Sequence, residues 1–290
     1  MIVFKRIADL TAWLEKQRNS GKSIGFVPTL GALHEGHISL INISKKASQI
    51  TVCSIFVNPT QFNDPKDFEK YPVTLEKDIA LLEKAAVDVL FHPGVSELYP
   101  AGTTGLEHYD LGRLETLLEG KSRPGHFQGV CQVMSRLLTV VRPDQLFMGQ
   151  KDYQQCMVIQ RLLALMGLPT QLQKCPIIRE RDGLAMSSRN LRLTPPQRTR
   201  ATAIYRALLL IKEQGRRSVD TAIREAEALL KQADFQIDYI TIADAATLEP
   251  VDPVAAARTA ATPAPGIPSD LVALIAAFQG DIRLIDNMLI

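Results

Sequence analysis

The chain has 290 residues, 46% of them hydrophobic and 22% charged, which is enough to bury one large core or two unequal ones. Its net charge of +2, from 33 basic and 31 acidic side chains, provides no broad field for nucleic acid or an anionic membrane, though a local site for a small anion fits. Cys53, Cys131, Cys156 and Cys175 form no CxxC pair and lie in apolar runs, which predicts reduced thiols in a cytoplasmic protein and argues against a disulfide or zinc site.

The first residues, MIVFKRIADLTAWLEKQ, are interrupted by Asp9, Trp13 and Glu15 and make a poor signal peptide. The apolar run TAIYRALLLI is broken by Arg206, and no segment reaches the ~20 residues of a membrane span. IGFVP (24–28) reads as a short buried strand ending at proline, followed by a helix over 37–48 with Ile38, Leu40 and Ile41 near one face. ITVCSIFV (50–57) is a nearly continuous β-branched run, the pattern of a strand covered on both faces. A helix is expected over 74–86, capped by Thr74 and carrying Lys77 and Asp78 in its first turns. A strand at 87–93, a helix at 129–140, a strand at 144–148, a helix at 152–166 and a strand at 171–178 follow. Strands alternating with helices predict an α/β fold built on a parallel sheet.

The texture changes after residue 190. Helices at 195–213 and 218–232 and strands at 235–244 and 270–278 predict a smaller α+β domain, with a boundary near 180–190. The Ala/Pro-rich stretch 255–270 reads as a surface loop.

Four stretches have the composition for chemistry. PTLGALHEGH (28–37) places Gly31 and Gly36 in a strand-to-helix turn, where backbone amides and a helix N-terminus favour phosphate. Its His34 and His37 can donate to phosphate oxygens and stabilise a departing pyrophosphate. Their i, i+3 spacing differs from the i, i+4 of a helical zinc motif, and no third His or Cys lies nearby. Taken alone, the stretch also fits a turn with two solvated histidines. GQKDYQQ (149–155) follows a strand and offers Lys151 to a phosphate and Asp152 to a ribose hydroxyl; alone it also fits a solvated turn. FVNPTQF (56–62) follows another strand, and Gln61 with Gln155 gives two neutral amides suited to a hydroxy acid. MSSRN (186–190) combines two hydroxyls with the planar fork of Arg189 near the domain boundary. Together they point to one ATP-binding cleft.

At these residues the chain resembles the pantoate–β-alanine ligase family of the HxGH nucleotidyltransferase-like superfamily. PTLGALHEGH, SIFVNPTQF, SRPGHFQGV, GQKDYQQ, DGLAMSSRN and GDIRLIDN are similar to family blocks and occur in the same order, nearly end to end. The resemblance implies a Rossmann-like catalytic domain over 1–180 that binds ATP and pantoate, a small lid domain over 186–290, and a homodimer. It implies that ATP and pantoate give pantoyl adenylate and pyrophosphate, after which β-alanine attacks to give pantothenate and AMP. Mg²⁺ accompanies the ATP, with no protein metal ligand assigned. By position, His34, His37 and Lys151 are the implied catalytic residues. The implied ATP site comprises Leu30, Gly31, Ala32, Leu33, His34, Glu35, Gly36 and His37, then Gly149, Gln150, Lys151 and Asp152, with Ile178 beside the adenine and Met186, Ser187, Ser188 and Arg189 from the second domain. Gln61 and Gln155 are implied to hold pantoate, with Gln61 also meeting β-alanine.

The chain departs from the family pattern at Leu30 in place of Met, a volume-conserving change, and at Gln150 in place of Glu. Lys77 precedes Asp78 where some relatives carry two acidic residues, and the loop at 255–270 reads as longer than usual. Two other functions compete. A transferase joining a nucleotide to a phosphate ester would need a further basic patch, and a nucleotide sensor would not need His37 or Lys151.

Overall fold

Runs of β-branched and aromatic residues without polar interruption form strands covered on both faces, and this chain places such runs at its centre. The computed structural model describes residues 1–62, 68–215, 218–251 and 270–290. Of the loop expected at 255–270, only Asp270 lies within the described residues. The chain divides into two compact units, Met1–Ile178 and Arg179–Ile290.

The first unit is built on six parallel strands: β1 (Ile2–Phe4), β2 (Ile24–Thr29), β3 (Ile50–Ile55), β4 (Val89–Phe91), β5 (Gln145–Gly149) and β6 (Gln171–Cys175). Their order is β1-β4-β3-β2-β5-β6. From β2 the chain therefore steps outward on one side to β3 and β4, then returns to the other side of β2 for β5 and β6. Ligands bind at the carboxyl ends of strands where such a reversal occurs. Successive residues of each strand serve opposite faces. Phe26, Val52 and Leu146 pack with Leu138 and Ile159 of the helices His126–Val141 and Tyr153–Leu165. Val27, Cys53 and Phe147 pack on the other face with Ile41 and Leu82 of the helices Glu35–Ala47 and Leu75–Lys84. All four cysteines are buried and unpaired.

Several boundaries differ from the sequence expectation. The second helix begins at Glu35 because His34, not a later residue, supplies its cap. The strand expected at 87–93 is only Val89–Phe91. The N-terminal segment supplies an edge strand, β1, and a helix, Ile7–Asn19, that buries Leu10 and Leu14 one turn apart.

The second unit packs the helices Pro195–Ala201, Ala203–Gln214 and Val219–Gln232 on an antiparallel sheet. Its strands are β7 (Gln236–Asp244), β8 (Leu271–Gln279) and β9 (Ile282–Leu289), in the order β7-β8-β9. Ile204, Leu208, Ile211, Leu230 and Ile275 lie in its core. The sequence pattern gave no expectation of β9. Its signal was the Gly280-Asp281 dipeptide, a two-residue turn with Gly280 at φ +64°. The guanidinium of Arg179 donates to both oxygens of Asp286 (2.5 and 3.1 Å) and to the Gly183 carbonyl (3.1 Å), and stacks 4.5 Å from the Tyr205 ring centre.

One glycine fixes how the helix His126–Val141 meets the turn that follows β3. A methyl group at Gly129 would lie 2.1 Å from the Thr60 carbonyl oxygen, so backbone must move to admit it. Gly129→Ala is expected to lower stability by about 1–3 kcal/mol, the range for overpacking. Denaturant unfolding that shows no loss would contradict this close approach.

Candidate active site

The turn after β2 is fixed from within. Thr29 donates its hydroxyl to the Ser54 carbonyl (2.7 Å) and accepts from the Gly31 amide (3.2 Å). Gly31 (φ +85°) and Ala32 (φ +50°) are both left-handed. This shape aims the Ala32 and Leu33 amides at Asp78, whose carboxylate accepts them at 2.9 and 2.8 Å. The His34 amide donates to His37 Nδ1 (3.2 Å), the Gly36 amide to His34 Nδ1 (3.1 Å), and the His37 amide to the His34 carbonyl (2.8 Å). Sequence reasoning offered the amides of this turn to a phosphate. In the fold those of residues 31–34, 36 and 37 are taken up by the chain itself, and the turn presents histidine side chains instead. Thr74 also differs from its expected role: its hydroxyl makes no cap bond and donates to Asp78 (3.1 Å).

Because both Nδ1 atoms accept hydrogen bonds, each neutral ring carries its proton on Nε2. The rings are 4.1 Å apart, centre to centre. Burial pulls His34 down to about 4, with a smaller push from the Lys151 charge. Burial, then His34 and Lys151, lowers His37 to about 3. At neutral pH the pair is therefore uncharged and presents two Nε2–H donors beside one ammonium group. β2 and β5 are adjacent parallel strands, so the loops that follow them, with the two rings and Lys151, leave the sheet at the same end.

Past β3, the fully buried Asn58 organises a short 3-10 turn, Pro59–Gln61. Its side-chain amide donates to Gln61 Oε1 (3.1 Å) and to the Gly129 carbonyl (3.1 Å), and its oxygen accepts from Tyr99 (2.8 Å). His126, also buried, donates through Nδ1 to the Gln61 carbonyl (2.8 Å), while Arg123 Nη1 meets its Nε2 at 2.9 Å. Both ends of Gln61 are thus held. Its Nε2 makes no hydrogen bond with the described residues.

Past β5, Gln150–Asp152 form a 3-10 turn leading into the helix Tyr153–Leu165. The adjacent glutamines there have separate roles. Gln154 is buried and takes up its hydrogen-bonding capacity on the Glu119 amide (2.9 Å) and the Leu114 and Leu117 carbonyls (2.8 and 2.9 Å). Gln155 is half-buried, and its amide makes no hydrogen bond with the described residues. Ile178, half-buried, is the last residue of the first unit.

In the second unit, Ser187 caps the 3-10 turn Ser188–Arg192 by accepting from the Arg189 amide (3.3 Å). Ser188 is buried, and Met186 and Arg189 are half-buried. Sequence reasoning placed Asp78 in the first turns of its helix and quoted the stretches that hold Asn58, Arg123 and His126, but assigned none of the four a role in the site. Only Asn58, in an Asn-Pro dipeptide before a short turn, had a local signal.

Two measurements test the neutral histidine pair. Nitrogen-detected NMR at pH 6.5 should show His34 and His37 uncharged with the proton on Nε2; a midpoint near 6.5 for either would overturn the assignment. The unfolded chain protonates these rings near 6.5, whereas the folded chain does so only near 4 and 3, so the unfolded state binds more protons in between. Their contribution to stability is therefore complete above pH 6.5 and is lost as pH falls toward 4 and 3. Replacing His37 with Asn should flatten that acid limb in denaturant titrations.

A profile of the Pantoate-beta-alanine ligase family matches residues 2–289. A pantothenate synthetase from Caldicellulosiruptor bescii is 42% identical over all of this chain and 99% of its own length. One from Thermotoga neapolitana is 40% identical over the full length of both. The crystal structure of pantothenate synthetase from Thermus thermophilus is similar over 99% of each chain, with a TM-score of 0.87 at 39% identity. A Francisella tularensis pantoate-beta-alanine ligase, crystallised in complex with beta-gamma ATP and beta-alanine, superposes with a TM-score of 0.80 at 36% identity over 100% of this chain and 97% of its own. The chain belongs to the pantoate–β-alanine ligase family.

Proposed function

We infer that this chain condenses pantoate with β-alanine, using ATP, through a pantoyl adenylate that is made and consumed in the same site. The observation that carries the residue assignment is the set of groups at the carboxyl ends of the adjacent strands β3, β2 and β5. Two neutral imidazoles and the Lys151 ammonium lie together, and the Gln61 Nε2 and the Gln155 amide make no hydrogen bond with the described residues.

A carboxylate is a poor acylating agent. Attack of a pantoate carboxylate oxygen on the α-phosphorus of ATP, with loss of pyrophosphate, gives a mixed anhydride whose leaving group is AMP. The β-alanine amine then attacks its carbonyl carbon, forming the amide and releasing AMP. Neither step needs a protein nucleophile. The chain's task is alignment and stabilisation of developing charge. His34 and His37 donate from Nε2 to the phosphates without adding positive charge, and Lys151 supplies charge to the same oxygens. Gln61 and Gln155 hold the hydroxyl and carboxylate of pantoate, with Gln61 also reaching β-alanine. Leu30 to His37 and Gly149 to Asp152 shape the nucleotide site, with Ile178 beside the adenine. The second unit supplies Met186, Ser187, Ser188 and Arg189 as further ATP ligands and acts as a lid. That part of the assignment is supported by the resemblance of DGLAMSSRN to the family block.

Magnesium enters with ATP as part of the substrate. The described residues contain no cluster of three or more His, Cys, Asp or Glu side chains arranged for a metal. Asp78, the carboxylate under the turn, is committed to two amides and a hydroxyl. No described helix is long and apolar enough to cross a membrane. A cytoplasmic location is supported by four free, buried thiols. A homodimer is supported by the family resemblance, and light scattering reads it directly.

The adenylate route is tested by isotope exchange. Labelled pyrophosphate should pass into ATP when pantoate is present and β-alanine absent; release of ADP in the full reaction would refute attack at the α-phosphorus. His37→Ala should fold normally and slow the exchange about 10²–10³-fold, the loss expected for one charge-stabilising donor. Turnover near that of the parent chain would remove His37 from the mechanism. Lys151→Ala should weaken ATP by roughly 1.5–3 kcal/mol, the worth of a charge-assisted hydrogen bond, and leave pantoate binding less affected. Calorimetric titration with unchanged ATP affinity would contradict that role.

A further inference from the structure

We propose that Asp78 is the positioning residue for the histidine pair: its carboxylate fills the anion-binding hollow of the left-handed turn and so sets where His34 and His37 stand. The proposal rests on the reaction assigned above. Successive amides in such a turn point to one side and create a concavity for a negative group. Here the concavity already has its anion. Asp78 Oδ2 accepts from Ala32 (2.9 Å), and Oδ1 accepts from Leu33 (2.8 Å) and from the Thr74 hydroxyl (3.1 Å). A methyl group on Gly31 would come within 3.2 Å of the same carboxylate, which therefore sits directly against the turn.

The backbone conformation explains why an anchor is needed. Ala32 has φ +50°, a region disfavoured for residues with a side chain. Without an acceptor for its amide and its neighbour's, the turn would relax to negative φ and carry the next residues with it. Leu33, held by Asp78, directly precedes His34. His34 in turn caps the helix Glu35–Ala47 and shares reciprocal bonds with His37. One buried carboxylate from a different helix, only 1% exposed, thus orients both imidazoles without touching them. Three donors already occupy its oxygens, two on Oδ1 and one on Oδ2, which favours an anchor of the turn over a metal ligand.

The test reads the imidazoles directly, in the full chain, and needs no substrate. Asp78→Asn keeps the shape, leaves one acceptor and sets an NH₂ against the second amide. It should change the Nε2–H signals of His34 and His37 and lower kcat for pyrophosphate exchange about 10²-fold, as for a catalytic group displaced by ~1 Å, with KM for pantoate unchanged. Asp78→Ala empties the hollow, and added formate should restore both the imidazole signals and part of kcat. Parent-like imidazole signals and kcat in either variant would overturn the proposal. Activity recovered by raising magnesium, with the imidazole signals untouched, would overturn it in favour of a metal ligand. If both variants fail to fold, Thr74→Val, which removes one donor and keeps the carboxylate, should shift the imidazole signals in the same sense; unchanged signals there would also overturn it. Because the signals are read without turnover, an error in the assigned reaction would appear only in the exchange assay.

Discussion

Strand β2 is hydrogen-bonded along both edges and covered on both faces, and the placement of the reactive groups follows from that. Its six residues pair in register with β3 from Ile24–Ile50 to Thr29–Ile55, and it meets β5 on the other side at Gly25 and Phe26. A one-residue slip would exchange Phe26 and Val27 between two dry cores, so the register is strongly specified. The three loops leaving the same end of β3, β2 and β5 therefore cannot drift relative to one another. Strand spacing of about 4.8 Å brings them within reach of a ligand no larger than a nucleotide.

The electrostatic character of the site departs from a simple basic pocket. Exclusion from water, with a smaller push from the nearby Lys151 charge, keeps both histidines neutral, so the loops after β2 and β5 present one ammonium group and two directed donors. In the reaction proposed above, such an arrangement would grip phosphates through geometry more than through net charge. That suits a reaction in which pyrophosphate must leave after it has been stabilised.

Much of the fold was legible because its signals are local. The β-branched run 50–57, the turn after Pro28 and the alternation at 235–244 each indicated the correct element. The candidate residues of the loops after β2, β3 and β5 were likewise readable from strand-to-loop patterns. What escaped depends on partners distant in sequence. Asp78 reaches Ala32 across 46 positions, and His126 reaches Gln61 across 65. No periodicity or spacing records either bond. The same holds for the amides of Ala32 and Leu33, whose acceptor comes from another helix. β9 was overlooked although its glycine turn was present, because GDIRLIDN mixes charges into the strand; Arg283 among them pairs with Asp238 at 2.7 Å across the sheet.

The bond between Arg179 and Asp286 has a bearing on how the chain acquires its shape as it is made. It joins the first residue of the second unit to β9, 107 positions later. Until β9 emerges, Arg179 lacks the Asp286 carboxylate, and the central strand β8 has one bare edge. A nascent chain can complete the first unit while the second is still being translated. The second, by contrast, gains the edge partner of β8 and the Arg179–Asp286 pair only when β9 arrives. That contact closes a loop of 107 positions, so its entropic cost falls late in the making of the unit.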